Sequence, residues 1–168
     1  MKVSSQEEYG LRCLLRLARE GVGGSLTIPE ISEAEGISIS YVGKLLRLLR
    51  RGGFLTSARG QAGGYALSRP AADINVGEVL ALLGGRLFEP EFCEHHSGVA
   101  QVCTHSVDCS VRSLWHALQL VVDQVLNKTT LNQLLSNEKE MTTWILPLIQ
   151  FVGEKPLSSS LETHHRTR

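Results

Sequence analysis

The chain has 168 residues, 17 basic against 17 acidic side chains, and 42% hydrophobic content. That composition supports a globular core and excludes wholesale disorder; zero net charge excludes a uniformly basic coat protein but leaves room for a local basic face. The opening MKVSSQEEYG lacks the apolar stretch of a secretory leader, and no run approaches the roughly 18–20 residues of a membrane span, so a cytoplasmic protein with no membrane partner is expected.

In chain order, Glu7 to Glu20 predicts a first helix with Tyr9, Cys13, Leu14 and Leu17 on its buried side and Arg12, Arg16 and Arg19 outside. Gly21, Gly23 and Gly24 break it. Thr27 and Glu30 fit a capping box, with Pro29 in the first turn of a short second helix that stops near Gly36. A third helix follows. Val42, Leu45, Leu46 and Leu49 fall at i, i+3, i+4 and i+7, Ser38 stands where a cap is needed, and Gly52-Gly53 can end it. Two short β-type runs, Phe54 to Arg59 and Tyr65 to Ser68, flank a glycine-rich turn. The predicted class is therefore mainly α with a small β-hairpin wing: a winged helix-turn-helix followed by a long dimerisation helix.

Between Ile37 and Arg69 there are six Lys or Arg and no Asp or Glu, a footprint for a polyanion. Helical DNA readers present the start of such a helix to the major groove. Ser38, Ser40, Tyr41, Lys44, Arg47 and Arg51 lie on its polar side, where hydroxyls meet phosphates or bases and cations neutralise phosphates. Arg59 and Gly60 stand at the wing tip, and an Arg there suits a narrow minor groove. Double-stranded DNA is the expected partner.

Asn75 and Glu78 form another cap pair before a fourth helix that stops at Gly84-Gly85. The segment from Arg86 to Cys109 has no clean period and reads as a loop. It holds Cys93, Cys103 and Cys109 within 17 residues, together with His95, His96 and His105. A reducing cytosol argues against a disulfide framework. The C-x9-C-x5-C spacing lacks the short pairs of structural zinc sites, yet the histidines keep zinc open beside an iron–sulfur cluster and plain free thiols. Cys13 reads as a small core residue. From about Val107 a helical pattern returns, with Val111, Leu114, Trp115, Leu118, Val121, Val122 and Val125 forming an apolar stripe suited to a second copy of the same helix. A short helix from Thr129 or Thr130 to Leu135 and an apolar patch from Trp144 to Phe151, interrupted by Pro147, follow; the polar end reads as disordered. The domain reading is 1–84 for the winged helix-turn-helix, 85–109 for the cysteine-rich loop, 110–136 for the dimerisation helix and its successor, and 137–168 for an extension. No Ser-His-Asp set, P-loop or dinucleotide fingerprint is legible, so no enzyme is expected.

Four segments carry a resemblance: Ser5-x-x-x-Tyr9 with Leu11-Arg12, the GISISYVGKLLRLLRRGGFL helix, the wing RGQAGGYAL, and three cysteines before a helix beginning SLW. With NKTTLNQLL after the long helix, the chain resembles, over residues 1 to about 136, the Rrf-two family of bacterial transcription regulators, in particular the iron–sulfur type that includes IscR, NsrR and RirA. The resemblance implies a homodimer on near-palindromic promoter DNA, acting as a repressor, with Cys93, Cys103 and Cys109 holding a 2Fe-2S or 4Fe-4S cluster that senses iron or cluster status, oxidants or nitric oxide. It implies Glu8 of the partner subunit as fourth ligand, where related proteins carry an Asp; His105, His95 or His96 is the alternative. Three positions depart from the pattern: Gly43 and Lys44 replace a Glu-Gln pair, nine residues instead of about five separate the first two cysteines, and Arg112 stands where a ligand His is found. The alternatives are a cluster-free regulator of the same family controlled by a partner protein, and a zinc- or thiol-bearing protein-interaction module.

Overall fold

The computed structural model describes residues 3–58, 63–86, 88–89, 92–95, 103, 105 and 107–150. Its first three helices are α1 (Ser5–Arg19), α2 (Ile28–Glu35) and α3 (Ile39–Arg51). Helix α1 starts earlier than its apolar period indicates. Ser4 accepts from the Glu7 amide and the Glu7 carboxylate accepts from the Ser4 amide, a reciprocal cap that starts the helix two residues before Glu7. The Thr27–Glu30 box opens α2 as expected. Ser38 occupies the N-cap of α3 but its side chain makes no capping bond; its hydroxyl lies 3.4 Å from that of Ser40. Both serines therefore remain exposed on the leading edge of α3.

Helix α3 ends in a Schellman arrangement: Phe54 N–H donates to Leu49 C=O and Gly53 N–H to Arg50 C=O, both at 3.0 Å. This puts Gly53 at φ +79°, a conformation that disfavours any side chain. The reversal launches β1 (Leu55–Ala58), paired antiparallel with β2 (Gly64–Leu67) in the register Leu55↔Leu67 through Ala58↔Gly64. The other edge of β2 is also engaged, because Leu26 exchanges two hydrogen bonds with Tyr65 at 2.8 and 3.0 Å. A Cβ on Gly64 would sit 2.7 Å from the Leu26 carbonyl oxygen, so that close approach requires glycine.

Helix α4 (Val76–Gly84) closes the core. The core is one cluster drawn from the four helices and β1, including Leu14 and Leu17 of α1, Ile31 of α2, Val42, Leu45, Leu46 and Leu49 of α3, Leu55 of β1, and Val79 and Leu83 of α4, with Tyr65 and Leu67 of β2 packed against it. The four predicted apolar positions of α3 are all fully buried, and Cys13 sits among them as a core residue. Burial pushes the Cys13 thiol up to about 12, with the Glu35 charge adding to the effect and Arg12 opposing it.

The region predicted as a loop contains a short helix, α5 (Phe92–His95), followed after a gap by α6 (Ser110–Leu126). The chain then turns back. Leu131 N–H donates to Ile74 C=O at 2.8 Å, Val76 N–H donates to Thr129 C=O at 2.9 Å, and Leu131 is fully buried in the core. Only a 3-10 turn, Gln133–Leu135, stands where a short helix from Thr129 or Thr130 is predicted. Helix α7 (Glu138–Gln150) runs through Pro147, where an interruption is predicted. Residues 151–168 lie outside the described part. Among the described residues no helix is long and apolar enough to cross a membrane.

Candidate nucleic-acid interface and cysteine segment

Burial of one stripe of α3 dictates what its other side offers. Ser38, Ser40, Lys44, Arg47 and Arg51 are exposed, while Tyr41 is half-buried. The Arg47 Nε donates to the Gly43 carbonyl at 3.0 Å, laying its side chain along the helix. A Cβ at Gly43 would meet only Ile28 Cδ1, at 3.6 Å, so packing there admits a side chain and does not demand the glycine. Arg69 belongs to the same basic stretch but is turned inward. It donates to the carbonyls of Asp73 and Gly53, pairs with Glu78 at 3.2 Å and stacks over Phe54. It thus staples the wing to α4 and is spent on the fold. Glu78, expected to cap α4 reciprocally with Asn75, gives its carboxylate to Arg69 instead; Asn75 alone caps, accepting from the Glu78 amide at 3.2 Å.

Tyr41 is braced from behind. Its ring meets that of Tyr9 edge-on, with centroids 6.1 Å apart and planes at 87°. Lys44 Nζ lies 5.8 Å from the Tyr41 centroid, and the Arg12 guanidinium 5.5 Å from that of Tyr9. Arg12 also ties to the end of α2 through the Glu35 carboxylate at 2.9 Å and the Glu35 carbonyl at 2.7 Å. Nothing in the α3 periodicity signals this arrangement, because its members come from three helices. The strands of the wing converge beside α3, with Ala58 and Gly64 as the last pair. Arg59 and Gly60, the predicted wing contacts, lie outside the described residues.

The three clustered cysteines carry no disulfide, and each is half-buried. Cys93 lies on α5, Cys103 follows later, and Cys109 is the N-cap of α6, its sulfur accepting from the Arg112 amide at 3.4 Å. Among the described residues, no three His, Cys, Asp or Glu side chains converge on a common point. Of the other predicted donors, His105 and Glu8 are exposed, His95 is described only by its backbone, and His96 lies outside the described residues. Glu8 is free of the α1 cap because Glu7 takes that role.

Side chains that the sequence does not single out fasten this segment. Gln119, buried on α6, accepts from the Phe88 amide at 2.8 Å and donates to Asp123 at 2.7 Å, while Asp123 pairs with Arg86. Phe88 packs between Phe92 of α5 and His116 of α6. An open cavity of about 560 Å³ borders these groups, with Arg112 and Leu120 on its wall.

Gln119 is the one buried residue of α6. Of the predicted stripe, Val111 and Leu114 are each 56% exposed, Leu118 40% and Val121 37%, while Trp115, Val122 and Val125 are half-buried. Asn75 locks the end of α6: its Nδ2 donates to the carbonyls of Asn127 at 3.0 Å, Leu126 at 3.3 Å and Thr129 at 3.4 Å.

The sequence profile of the Rrf2 family, described as an iron-dependent transcriptional regulator, matches residues 3–137. Protein rrf2 of Nitratidesulfovibrio vulgaris is 34% identical over 135 residues, spanning 80% of this chain and 87% of that protein. The HTH-type transcriptional regulator IscR of Escherichia coli is 32% identical over 139 residues, 83% of each chain. The solved structure of CymR, the global cysteine regulator of B. subtilis, superposes with a TM-score of 0.65 at 27% identity, covering 80% of this chain and 96% of that one.

Proposed function

The chain belongs to the Rrf2 family of transcriptional regulators, and on that footing we propose that it is a homodimeric, cytoplasmic repressor whose grip on promoter DNA is set by an iron–sulfur cluster. It is a regulator and not an enzyme, as its relatives are. The observation that carries the DNA reading is the α3 surface. Helix α3 exposes Ser38 and Ser40 at its start and Lys44, Arg47 and Arg51 along its length, beside the wing and within a stretch that contains no carboxylate. Hydroxyls and cations at a helix start suit phosphates and base edges in a major groove. Each phosphate that this surface neutralises adds about −0.9 to the slope of log K against log salt.

Dimerisation through α6 is supported by the exposed row Val111, Leu114, Leu118 and Val121. Pairing these rows removes apolar surface from water and fixes the distance between the two reading helices. Cluster control rests on donor chemistry. Cys93, Cys103 and Cys109 would hold iron through thiolates, with Glu8 of the partner subunit as a harder fourth donor. The Arg112 amide already directed at the Cys109 sulfur is the kind of contact that tunes a ligating thiolate. The cluster, when bound, would supply reactivity towards oxidants or nitric oxide. The segment that carries the cysteines is tied to α6 by Gln119 and Phe88, so a change there reaches the dimer helix.

Anaerobic purification, a visible spectrum, iron and zinc analysis, and DNA binding with and without metal test the reading together. Iron with cysteine-dependent absorbance, and DNA binding that differs between the two states, is the expected result. Metal-free protein that binds the same DNA equally well assigns a cluster-free regulator; zinc without DNA binding assigns an interaction module.

A further inference from the structure

We propose that Tyr9 is a positioning residue for DNA reading, acting through Tyr41 on Lys44; the proposal rests on the reading of α3 as the DNA-contacting helix. The contacts form one continuous run. Glu35 at the end of α2 holds Arg12 through two hydrogen bonds. Arg12 lies over the Tyr9 ring, Tyr9 meets Tyr41 edge-on, and Tyr41 carries the Lys44 ammonium at 5.8 Å. Three helices thereby converge on one exposed cation.

The physical reason is local. A lysine on an exposed helix face explores many rotamers, and ordering it on a phosphate costs entropy at each encounter. An ammonium held near an aromatic ring through its quadrupole is ordered in advance. The ring serves only if it is itself fixed. Tyr41 is half-buried, and among the described residues its aromatic partner is Tyr9. Tyr9 in turn is held by Arg12, whose guanidinium is anchored to the α2 terminus. Removing the Tyr9 ring frees Tyr41 to turn and Lys44 to leave its place, although no DNA-facing group has been changed.

The test uses the full-length protein and a labelled duplex selected by the wild type from a random pool, read by fluorescence anisotropy across a salt series. Tyr9→Leu should weaken binding by about three- to tenfold, the loss of one aromatic pair. It should also lower the salt slope by about one, as loss of a single phosphate contact does. Tyr9→Phe keeps the ring edge and should bind like wild type. In a Lys44→Ala background, Tyr9→Leu should add less than about a twofold effect, since its route to DNA is gone. Thermal melts show whether Tyr9→Leu is folded at the assay temperature. Where it is not, Arg12→Gln, on a half-exposed side chain, carries the same comparison with the same criterion. Full multiplication of the Tyr9 and Lys44 effects, or failure of Phe to rescue, overturns the positioning role while leaving the DNA reading intact. A wild-type protein that selects and binds no duplex overturns both.

Discussion

Asn75 joins the reading domain to α6 with a single side chain, and Asn75→Asp separates its two jobs. The Oδ1 atom caps α4 by accepting from the Glu78 amide at 3.2 Å, while Nδ2 donates to three carbonyls at the end of α6, the nearest at 3.0 Å. Aspartate caps a helix as well as asparagine does, so the α4 cap survives the exchange. On the other side a donor becomes an acceptor, and a carboxylate oxygen faces the carbonyls of Leu126, Asn127 and Thr129. One good hydrogen bond is lost and a carboxylate is set against these carbonyls, of which Leu126 C=O keeps the Thr129 amide and Thr129 C=O the Val76 amide as donors; the cost is about 1–3 kcal/mol. Asn75→Ser keeps the cap and creates no repulsion, so its cost should be about 1 kcal/mol. For a chain of this size each kcal/mol moves the melting midpoint by about 2–4 °C. Asn75→Asp should therefore melt about 2–12 °C below wild type, and Asn75→Ser about 2–4 °C below. Melts must be run at one protein concentration, because the proposed dimer would make the midpoint concentration-dependent. Hydrogen exchange locates the loss: the Val76 and Leu131 amides, which bond to Thr129 and Ile74, should lose protection before those of α3. If Asn75→Asp melts with wild type and keeps those two amides protected, the lock is not held by this side chain.

Other parts of the molecule carry further expected outcomes. Leu118→Asp places a charge in the exposed row of α6 and should convert a dimer to monomers or aggregates in sedimentation; an unchanged dimer would place the interface elsewhere. Cys13 should resist alkylation in the folded, metal-free protein near neutral pH while the other three thiols react, which mass spectrometry of native and urea-unfolded samples can count. Its raised value also has a sign: the neutral thiol is the form the core accepts, so this contribution to stability is complete below the ordinary value of 9.0 and lost as pH rises towards about 12, an effect that Cys13→Ala should remove from alkaline melts. Single Ala replacements of Cys93, Cys103 and Cys109 should each abolish or severely destabilise the cluster absorbance, whereas Glu8→Ala should retain iron but lose it faster in air; a Glu8→Ala protein with wild-type spectrum and lifetime would exclude the carboxylate as fourth ligand.

Much of the reading head was legible in the linear order because its determinants are periodic and local. Val42, Leu45, Leu46 and Leu49 recur at helical spacing, so their burial and the exposure of Lys44, Arg47 and Arg51 follow from one rule of geometry. The Thr27–Glu30 box and the Gly52-Gly53 stop act within a few residues of backbone and are equally visible. The apolar row of α6 was also readable, and its exposure in a single chain follows from a stripe too long for one small core.

Only tertiary structure decided where polar side chains were spent. Arg69 counts with the other cations in any tally of charge, but folding brings it against Glu78, Asp73 and the Phe54 ring, and none of those partners is marked by a short-range pattern. Asn75 reads as a simple cap, and its bonds to residues 126–129 exist because the chain after α6 returns to the core with Leu131 as its anchor. The Tyr9–Tyr41 contact joins a residue read as part of the buried side of the first helix to one read as a DNA contact, and nothing in the linear order pairs them. A helix or cap is fixed by near neighbours whose separation the backbone sets, whereas a side chain that can reach several partners is assigned only when the fold brings one of them within bonding distance.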